Sequence, residues 1–333
     1  PAALVDLQRM QRNIARMQAR LDSLGVRFRP HVKTSKCVQV MQAQRAAGAR
    51  GITVSTLREA EQFFAAGETD ILYAVGIVPA KLPQVLALRR QGCDLKLITD
   101  NVDAAHAVAA FGREHGETFE VWIEIDCDGH RSGVAPEAPV LLDVGRALAQ
   151  PGASLGGVMT HAGASYELDE SEALAAMAEQ ERAGCVRAAE RLRAAGHACA
   201  NVSVGSTPTA LWARSLPGVT EVRAGVYVFF DLVMANVGVC APADIALSVL
   251  TTVIGHQAEK GWAILDAGWM AMSRDRGTQK QRHDYGYGQV CALDGTPLPG
   301  YVMSGANQEH GILAREGEPD RDIVRRFPVG TRL

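Results

Sequence analysis

The sequence lacks the features that would place a protein in a membrane, outside the cell or on nucleic acid. Among its 333 residues, no apolar run approaches the ~18 residues that a bilayer span requires, and no signal peptide opens the chain. The formal net charge is only -3, and no basic cluster offers a surface for nucleic acid. The seven cysteines form no Cys-x-x-Cys pair, which indicates reduced thiols in a cytoplasmic protein.

Low-complexity segments are also absent, and nothing repeats except an alternation of strand-like and helix-like stretches. A hydrophobic content of 47% is enough for a full core. The length predicts two domains, or one large barrel with an addition. Because the chain starts at Pro1 rather than at a methionine and stops at Leu333 within an apparent strand, we expect the sequence to be part of a longer chain.

The first two-thirds of the chain predict an α/β fold. Apolar residues at helical spacing from Met10 to Leu24 indicate a first amphipathic helix. Strands are predicted at residues 26–31, 51–55, 70–75, 95–99, 119–126, 155–161, 202–205 and 220–228. Helices are predicted at residues 36–48, 57–66, 79–91, 102–115, 136–149, 170–195 and after Thr207. Eight such units favour a TIM-type (β/α)8 barrel, and an open doubly wound sheet is the alternative.

The pattern changes after about residue 235. Runs at 245–256, 261–266 and 285–292 predict antiparallel strands joined by Gly, Asp and Pro turns. We therefore expect a barrel domain at residues 1–235 and a β-rich C-terminal domain at residues 236–333 that is incomplete at its end.

Polar residues cluster where the predicted barrel strands end, which is where such barrels carry their chemistry. Lys33 follows the first strand, and Gly205-Ser206-Thr207 follows the seventh. A lysine opposite a turn that can bind phosphate suits pyridoxal 5'-phosphate (PLP), which needs an amine for its aldehyde and a cup for its phosphate. Each residue also has a simpler interpretation as a surface lysine or an ordinary turn.

The same ambiguity applies to the other strand ends. His161 suits either a site or a satisfied core histidine, and Arg131 either a ligand contact or a solvated loop. Tyr227 suits barrel packing, while Asp126 and Asp128 suit hydrogen bonds to their own loop.

Ordered motifs across nearly the whole chain resemble the D-serine dehydratase and D-threonine aldolase family of fold-type III PLP enzymes, relatives of the alanine racemase barrel. The motifs lie at residues 29–36, 52–60, 128–134, 160–163, 204–209, 223–231, 266–269, 308–311 and 326–330. Residues 33–36, 273–278 and 305–310 favour D-threo-3-hydroxyaspartate as the substrate within this family.

The resemblance implies a set of site residues. Lys33 would condense with the PLP aldehyde, Arg131 would reach its phenolic oxygen, and His161 would lie against its ring. Arg223 occupies the position of the arginine that meets the pyridine nitrogen in racemases, although relatives vary there. The phosphate cup would be Gly205, Ser206 and Thr207, with Tyr166 and Tyr227 near the cofactor.

The resemblance also implies a divalent metal (Mn, Co, Mg or Zn) held by a His-x-Cys pair. We expect that pair beyond Leu333. The expected reaction is metal-assisted loss of the β-hydroxyl from a D-3-hydroxy amino acid, giving oxaloacetate and ammonia from D-threo-3-hydroxyaspartate. Lys33 would take the α-proton, with Arg29 and Arg131 lowering its pKa.

Several points stay open in the sequence. Arg274, Arg276 and His283 are candidates to bind the β-carboxylate of the substrate. Alternative activities are a D-serine dehydratase, a D-threonine or 3-hydroxyaspartate aldolase, and a non-catalytic PLP carrier. The expected partners are a small D-amino acid substrate and a second copy of the chain in a homodimer, with no nucleic acid and no membrane.

Overall fold

The protein divides into two compact units in a computed structural model that describes residues 1–333. The larger unit comprises residues 11–228, and the smaller unit comprises residues 1–10 together with residues 229–333. The expected domain limits, 1–235 and 236–333, stay a prediction. None of the helices is both long and apolar enough to cross a lipid bilayer.

The larger unit is built on eight parallel strands that alternate with helices, as the sequence predicts. After β1 (Ala2–Val5), which belongs to the smaller unit, the strands are β2 (Arg27–Phe28), β3 (Ile52–Val54), β4 (Asp70–Gly76), β5 (Asp94–Thr99), β6 (Phe119–Ile125), β7 (Ala153–Thr160), β8 (Asn201–Val204) and β9 (Glu221–Val222). The helices are α1 (Leu7–Ser23), α2 (Val38–Ala46), α3 (Leu57–Ala65), α4 (Leu82–Arg90), α5 (Val102–His115), α6 (Val140–Leu148), α7 (Ser171–Ala194) and α8 (Thr207–Trp212).

Hydrogen bonds close these strands into a barrel. The order of the strands in the sheet is β2-β9-β8-β7-β6-β5-β4-β3, so β2 and β3 are its two ends. Beyond β2 the chain runs beside β3: the Val32 N–H donates to the Thr53 carbonyl at 3.0 Å, and the Thr53 N–H donates to the Pro30 carbonyl at 2.8 Å. A parallel bridge between His31 and Thr53 joins the two ends. This closure excludes the open doubly wound sheet.

Side-chain caps mark where the helices begin after the strands. Thr56 Oγ1 accepts the Glu59 N–H at 3.0 Å at the start of α3, and Asn101 Oδ1 accepts the Ala104 N–H at 2.9 Å at the start of α5. These bonds satisfy N–H groups that a helix cannot pair internally. Because each strand ends in a loop that leads to a helix, the polar residues of these loops gather at one mouth of the barrel.

The smaller unit is rich in antiparallel strands, as expected for the C-terminal part. Strand β1 pairs with β10 (Leu247–Leu250). A separate sheet has the order β11-β12-β15-β14-β13, formed by β11 (Val253–Gln257), β12 (Trp262–Leu265), β13 (Gln289–Cys291), β14 (Pro297–Ala306) and β15 (Gly311–Arg315). Two short helices complete it, α9 (Leu232–Val237) and α10 (Ile323–Arg326). Its core contains Val253, Leu265, Tyr301, Leu313 and Phe327.

Some element boundaries differ from the sequence predictions. The run at 245–256 is two strands, β10 and β11, and the run at 220–228 is a strand only at 221–222, followed by a 3-10 turn at 226–228. Beyond this strand the backbone at Gly225 passes close to the loop after β2. A Cβ atom on Gly225 would lie 2.7 Å from Thr34 Oγ1 and 2.8 Å from the His31 carbonyl oxygen, so glycine permits this close approach. Strands β1, β14 and β15 have no counterpart in the predictions.

Candidate active site

The turn that follows β2 presents Lys33 at the mouth of the barrel. Val32 is buried, and the Lys36 N–H donates back to its carbonyl at 2.8 Å. Lys36 has a φ of 45°, which is uncommon for a residue with a side chain. Its ammonium lies 3.2 Å from the buried carboxylate of Glu59, which also accepts the Ser55 N–H at 2.8 Å. Lys36 is therefore held in an ion pair, and Lys33 remains without a carboxylate partner.

The pKa of Lys33 is lowered from its ordinary value. Partial burial of the ammonium contributes most, followed by the positive charges of Arg131 and Arg223, while Glu59 acts in the opposite direction. The Lys33 residue nevertheless remains exposed to solvent. A lowered pKa increases the neutral fraction of the amine, which is the form that condenses with a carbonyl or accepts a proton.

Arg29, the other candidate for lowering this pKa, is turned into the interior of the barrel. Its Nε donates to both carboxylate oxygens of Glu221 at 3.1 Å, and its Nη1 donates to Asp70 Oδ1 at 2.8 Å. Arg29 is not among the groups that shift the pKa of Lys33. The expectation was therefore wrong for Arg29, because two carboxylates neutralise its charge.

His161 follows β7 and is held as a neutral imidazole. Its Nδ1 lies 3.0 Å from the Gly205 carbonyl, which only accepts, so Nδ1 carries the proton. Burial lowers the pKa of His161 to about 4, with the Gly205 bond opposing and the charges of Arg131, Arg223 and Lys33 adding to the effect. Near pH 7 the Nε2 atom therefore offers a lone pair. The ring centroid lies 5.9 Å from that of Tyr166.

The Gly205-Ser206-Thr207 turn is built largely on bonds within the protein. The Gly205 N–H donates to Glu181 Oε1 at 2.9 Å, and Gly205 has a φ of 135°. A Cβ atom there would collide with the backbone of Arg223, so only glycine fits. The Ser206 hydroxyl bonds Ser165 Oγ at 2.8 Å and caps α8, and Thr207 Oγ1 accepts the Tyr227 N–H at 3.2 Å.

Two arginines flank the mouth in different environments. Arg223 is 3% exposed, and its Nε donates to Ser203 Oγ at 2.8 Å while its Nη2 donates to the Thr160 carbonyl. Arg131 is about half exposed, and its nearest carboxylate oxygen, on Glu124, is 3.9 Å away. Burial raises the pKa of Glu124 even though Arg131 opposes that shift.

The tyrosines predicted near the cofactor are placed differently from each other. Tyr166 is partly buried and lies in the turn after β7, close to His161. Tyr227 is fully buried, its hydroxyl accepts from Gln44 Nε2 at 2.7 Å, and its ring packs edge-on against Phe28 with the centroids 5.3 Å apart. The side chain of Tyr227 thus belongs to the core, and its backbone N–H is the part that contacts the Gly205-Ser206-Thr207 turn.

The acidic residues after β6 stabilise their own loop. Asp126 Oδ1 accepts the Gly129 N–H at 2.7 Å, and Asp128 Oδ2 accepts the Ala164 N–H at 2.9 Å. This confirms the simpler interpretation of Asp126 and Asp128, and it joins the loop of Arg131 to the turn after β7.

Sequence analysis missed two buried acids that support the mouth from below. Glu181 on α7 is 1% exposed and accepts the N–H groups of Ala162 and Gly205. Glu221, also 1% exposed, accepts from Ser203 Oγ at 2.9 Å and from Arg29. Neither follows the carboxyl end of a strand, which is where the sequence pattern indicates site residues.

The positive charges at the mouth also act on His31. The pKa of His31 is lowered well below its ordinary value by burial and then by the charges of Lys33, Arg223 and His161. Within Arg223, Nη1 makes no hydrogen bond although the side chain is almost fully buried. The amine of Lys33 and the guanidinium groups of Arg131 and Arg223, the latter with its unbonded Nη1, suit a ligand with an aldehyde, a phosphate and a ring nitrogen. These residues fit PLP.

The residues present do not fit a metal. No group of three or more His, Cys, Asp or Glu side chains is arranged to hold an ion.

Among the candidates for the β-carboxylate of the substrate, Arg276 pairs with Asp284, and His283 Nε2 lies 3.6 Å from Glu316. Arg274 has no carboxylate partner within the smaller unit.

Comparison with known proteins identifies the family. The model described as "Alanine racemase, N-terminal domain" matches residues 5–233, and the model described as "Putative serine dehydratase domain" matches residues 246–333. The chain belongs to this alanine racemase-like family of serine dehydratase-type proteins.

The relatives named in that comparison carry more specific activities. The D-threo-3-hydroxyaspartate dehydratase of Delftia sp. (strain HT23) is 73% identical over 100% of this chain and 88% of its own. Its solved structure superposes with a TM-score of 0.98 at 72% identity, again covering 100% and 88% of the two chains. A solved cysteine variant of a D-threo-3-hydroxyaspartate dehydratase is described as being in the metal-free form. The D-threonine aldolase of Arthrobacter sp is 31% identical over 98% of this chain and 84% of its own.

Proposed function

We propose that this chain is a PLP-dependent dehydratase that removes the β-hydroxyl of D-threo-3-hydroxyaspartate and yields oxaloacetate and ammonia. The observation that carries the proposal is 73% identity, across the whole chain, to the Delftia enzyme of that name. The cationic mouth around Lys33 supports it, because the residues there suit PLP and an anionic amino acid.

PLP, when bound, supplies an electron sink for the pair of electrons left at the α-carbon. Lys33 would provide the amine that holds the PLP aldehyde. Its Nζ atom would also accept the α-proton of the substrate, for which its lowered pKa is suited. Arg131 and the phosphate turn orient the ligand, and neutral His161 packs beside it without adding charge.

Arg223 determines how strongly bound PLP can attract the electron pair from the α-carbon. A guanidinium only donates hydrogen bonds, so Arg223 facing a ring nitrogen would keep that nitrogen unprotonated. An unprotonated nitrogen attracts electrons less strongly, and departure of the hydroxyl then needs assistance. A divalent metal, if bound, would supply this assistance as a Lewis acid, and one solved variant of a D-threo-3-hydroxyaspartate dehydratase is described as being in the metal-free form. No group of three or more His, Cys, Asp or Glu side chains in this structure is arranged to hold such an ion, so no residue of this chain is assigned to it.

The homodimer and the cytoplasmic location belong to the same proposal. All seven cysteines are free, which suits a reducing compartment. Burial raises the pKa of Cys127 to about 12, so this thiol stays protonated and unreactive. Light scattering on the PLP-loaded protein would measure the oligomeric state, and a mass of one chain would contradict the dimer.

Product analysis tests the proposed reaction. The natural full-length protein, reconstituted with PLP, would be incubated with D-threo-3-hydroxyaspartate, D-serine and D-threonine, with and without a chelator. We expect oxaloacetate and ammonia from the first substrate, lost on chelation. Glyoxylate or acetaldehyde together with glycine would instead show an aldolase. Bound PLP without turnover of any substrate would show a carrier.

A further inference from the structure

An alternating series of charged side chains runs from Asp94, which is 57% exposed, to the buried Glu221 and leads toward Arg223. Lys96 Nζ donates to Asp94 Oδ2 at 2.6 Å and to Asp70 Oδ1 at 2.7 Å. Arg29 donates to Asp70 at 2.8 Å on one side and to Glu221 at 3.1 Å on the other. We call Asp94, Lys96, Asp70, Arg29 and Glu221 the ion chain.

Ser203 connects the ion chain to Arg223. Its hydroxyl donates to Glu221 Oε1 at 2.9 Å and accepts from Arg223 Nε at 2.8 Å. Ser203 has no exposed surface, and Glu221 and Arg223 are 1% and 3% exposed. Because water does not reach these groups, each lost bond would leave a buried polar atom without a partner.

Glu221 sets the direction of these hydrogen bonds. Its oxygens accept from Arg29 Nε, both at 3.1 Å, and one of them also accepts from Ser203 Oγ at 2.9 Å. The Ser203 proton must therefore point at Glu221, which leaves the hydroxyl lone pairs for Arg223 Nε. A neutral amide at position 221 would place an N–H group against one of these donors and disturb this order.

Two of the three guanidinium nitrogens of Arg223 are consequently hydrogen-bonded, and the third is not. Nε is bound to Ser203, and Nη2 is bound to the Thr160 carbonyl, while Nη1 makes no hydrogen bond. Thr160, which accepts from Arg223 Nη2, directly precedes His161, and the backbone of Arg223 packs against Gly205, so the guanidinium lies beside these mouth residues. Its open edge is thus presented to whatever ligand the mouth holds.

We propose that Glu221 is a positioning residue that acts through the Ser203 hydroxyl to hold the Nη1 edge of Arg223 toward the ring nitrogen of bound PLP. This inference rests on the proposed function, since it takes PLP as the ligand. Glu181 does not do this, because its carboxylate accepts from the backbone of Ala162 and Gly205 rather than from Arg223.

Three variants of the PLP-loaded protein test the inference: Glu221→Gln, Ser203→Ala and the double variant. We expect each single variant to shift the visible absorption of bound PLP and its pH dependence. We also expect kcat to fall about tenfold or more while KM changes less than about threefold, because orientation rather than substrate binding is lost. The double variant should be no worse than the poorer single variant, since both changes break one connection.

Asp70→Asn is the matched control. This variant removes a different carboxylate of the ion chain. Asp70 bonds Arg29 and Lys96, but it does not bond Ser203 or Arg223. We expect it to lower the melting temperature while leaving the PLP spectrum unchanged and kcat within about twofold.

Two results would overturn the inference. One is a folded Ser203→Ala protein with the wild-type spectrum and kcat. The other is an Asp70→Asn protein whose spectrum shifts as far as that of Glu221→Gln, which would indicate a general effect of the ion chain. Wild-type protein that binds no PLP would overturn the proposed function itself, and the inference with it.

Discussion

Replacing Glu181 by alanine should destabilise the barrel and disorder its mouth. The carboxylate accepts the Ala162 N–H at 3.0 Å and the Gly205 N–H at 2.9 Å, and it is 1% exposed. Its removal leaves two buried donors unpaired, at about 1–3 kcal/mol each. Burial also raises the pKa of Glu181, so the wild-type carboxylate is itself costly to bury and part of the loss is offset. We therefore expect a net loss of about 2–4 kcal/mol.

Thermal unfolding of the cofactor-free protein measures this loss. For a unit of about 220 residues, 1 kcal/mol lowers the melting temperature by about 3 °C, so we expect a decrease of about 6–12 °C. Glu181→Gln keeps one acceptor and should fall between wild type and Glu181→Ala. Because the Gly205 carbonyl accepts from His161 Nδ1, the alanine variant should also show altered histidine resonances for His161.

Glu179→Ala provides the matched control on the same helix. Glu179 is 58% exposed and its partner is Arg182, whose Nε donates to it at 2.8 Å. An exposed pair of this kind contributes at most about 1 kcal/mol, so the melting temperature should change by less than about 3 °C. If Glu181→Ala melted no lower than Glu179→Ala, the reasoning about buried acceptors would be refuted.

Three further predictions concern charge. Lys33→Ala should abolish turnover and the absorption band of lysine-bound PLP, and normal turnover would contradict the assignment. Because its pKa is about 4, His161 should show no titration between pH 5 and 8 in histidine NMR of the cofactor-free protein. Since this folded-state value lies below the unfolded one, its contribution to stability is lost as the pH falls from about 6.5 toward 4. Burial alone would raise the pKa of Asp70, but Arg29 and Lys96 lower it to about 2. Its stabilisation is therefore present above pH 3.8 and disappears as the pH falls through about 2, so the difference in acid unfolding between wild type and Asp70→Asn should shrink over that range.

The barrel was predictable because each of its elements has a local signal. Helix α5 is expected at 102–115 and found at Val102–His115, since Asn101 caps its start and Gly116 takes a φ of 67° at its end.

The strands of the smaller unit were harder to predict from the sequence. Strand β14 contains Pro297, Pro299 and Gly300, which normally interrupt strands, and it forms because β15 and β13 pair with it on both sides.

The residues at the mouth were predictable for a topological reason. In a parallel barrel the carboxyl ends of all strands converge, so Lys33, His161 and Gly205 can be grouped without knowing any distance. How these residues bond was not predictable. Most of the turn's polar groups are already used within the protein. Glu181 accepts the Gly205 N–H, Ser165 and Thr209 bond Ser206, and the Thr207 hydroxyl accepts the Tyr227 N–H.

Glu181 did carry a signal in the sequence. On α7 the buried positions Leu174, Ala178, Cys185 and Leu192 follow helical spacing, and Glu181 occupies the same stripe three residues after Ala178. A carboxylate on the apolar face of a helix needs a buried partner, because an unpaired charge is too costly there. That partner proves to be the backbone of two loops at the mouth.

Glu221 gave no such signal. Strand β9 has only two residues, so the sequence pattern does not show which of them points into the barrel and which points out. Its importance depends on contacts across the barrel, with Arg29 after β2 and Ser203 on β8, which no local pattern encodes. The polar residues at the mouth therefore follow from topology, whereas the buried residues that bond them follow only from packing. A substitution at Glu221 should accordingly affect the mouth through Ser203 and Arg223, even though Glu221 itself is only 1% exposed.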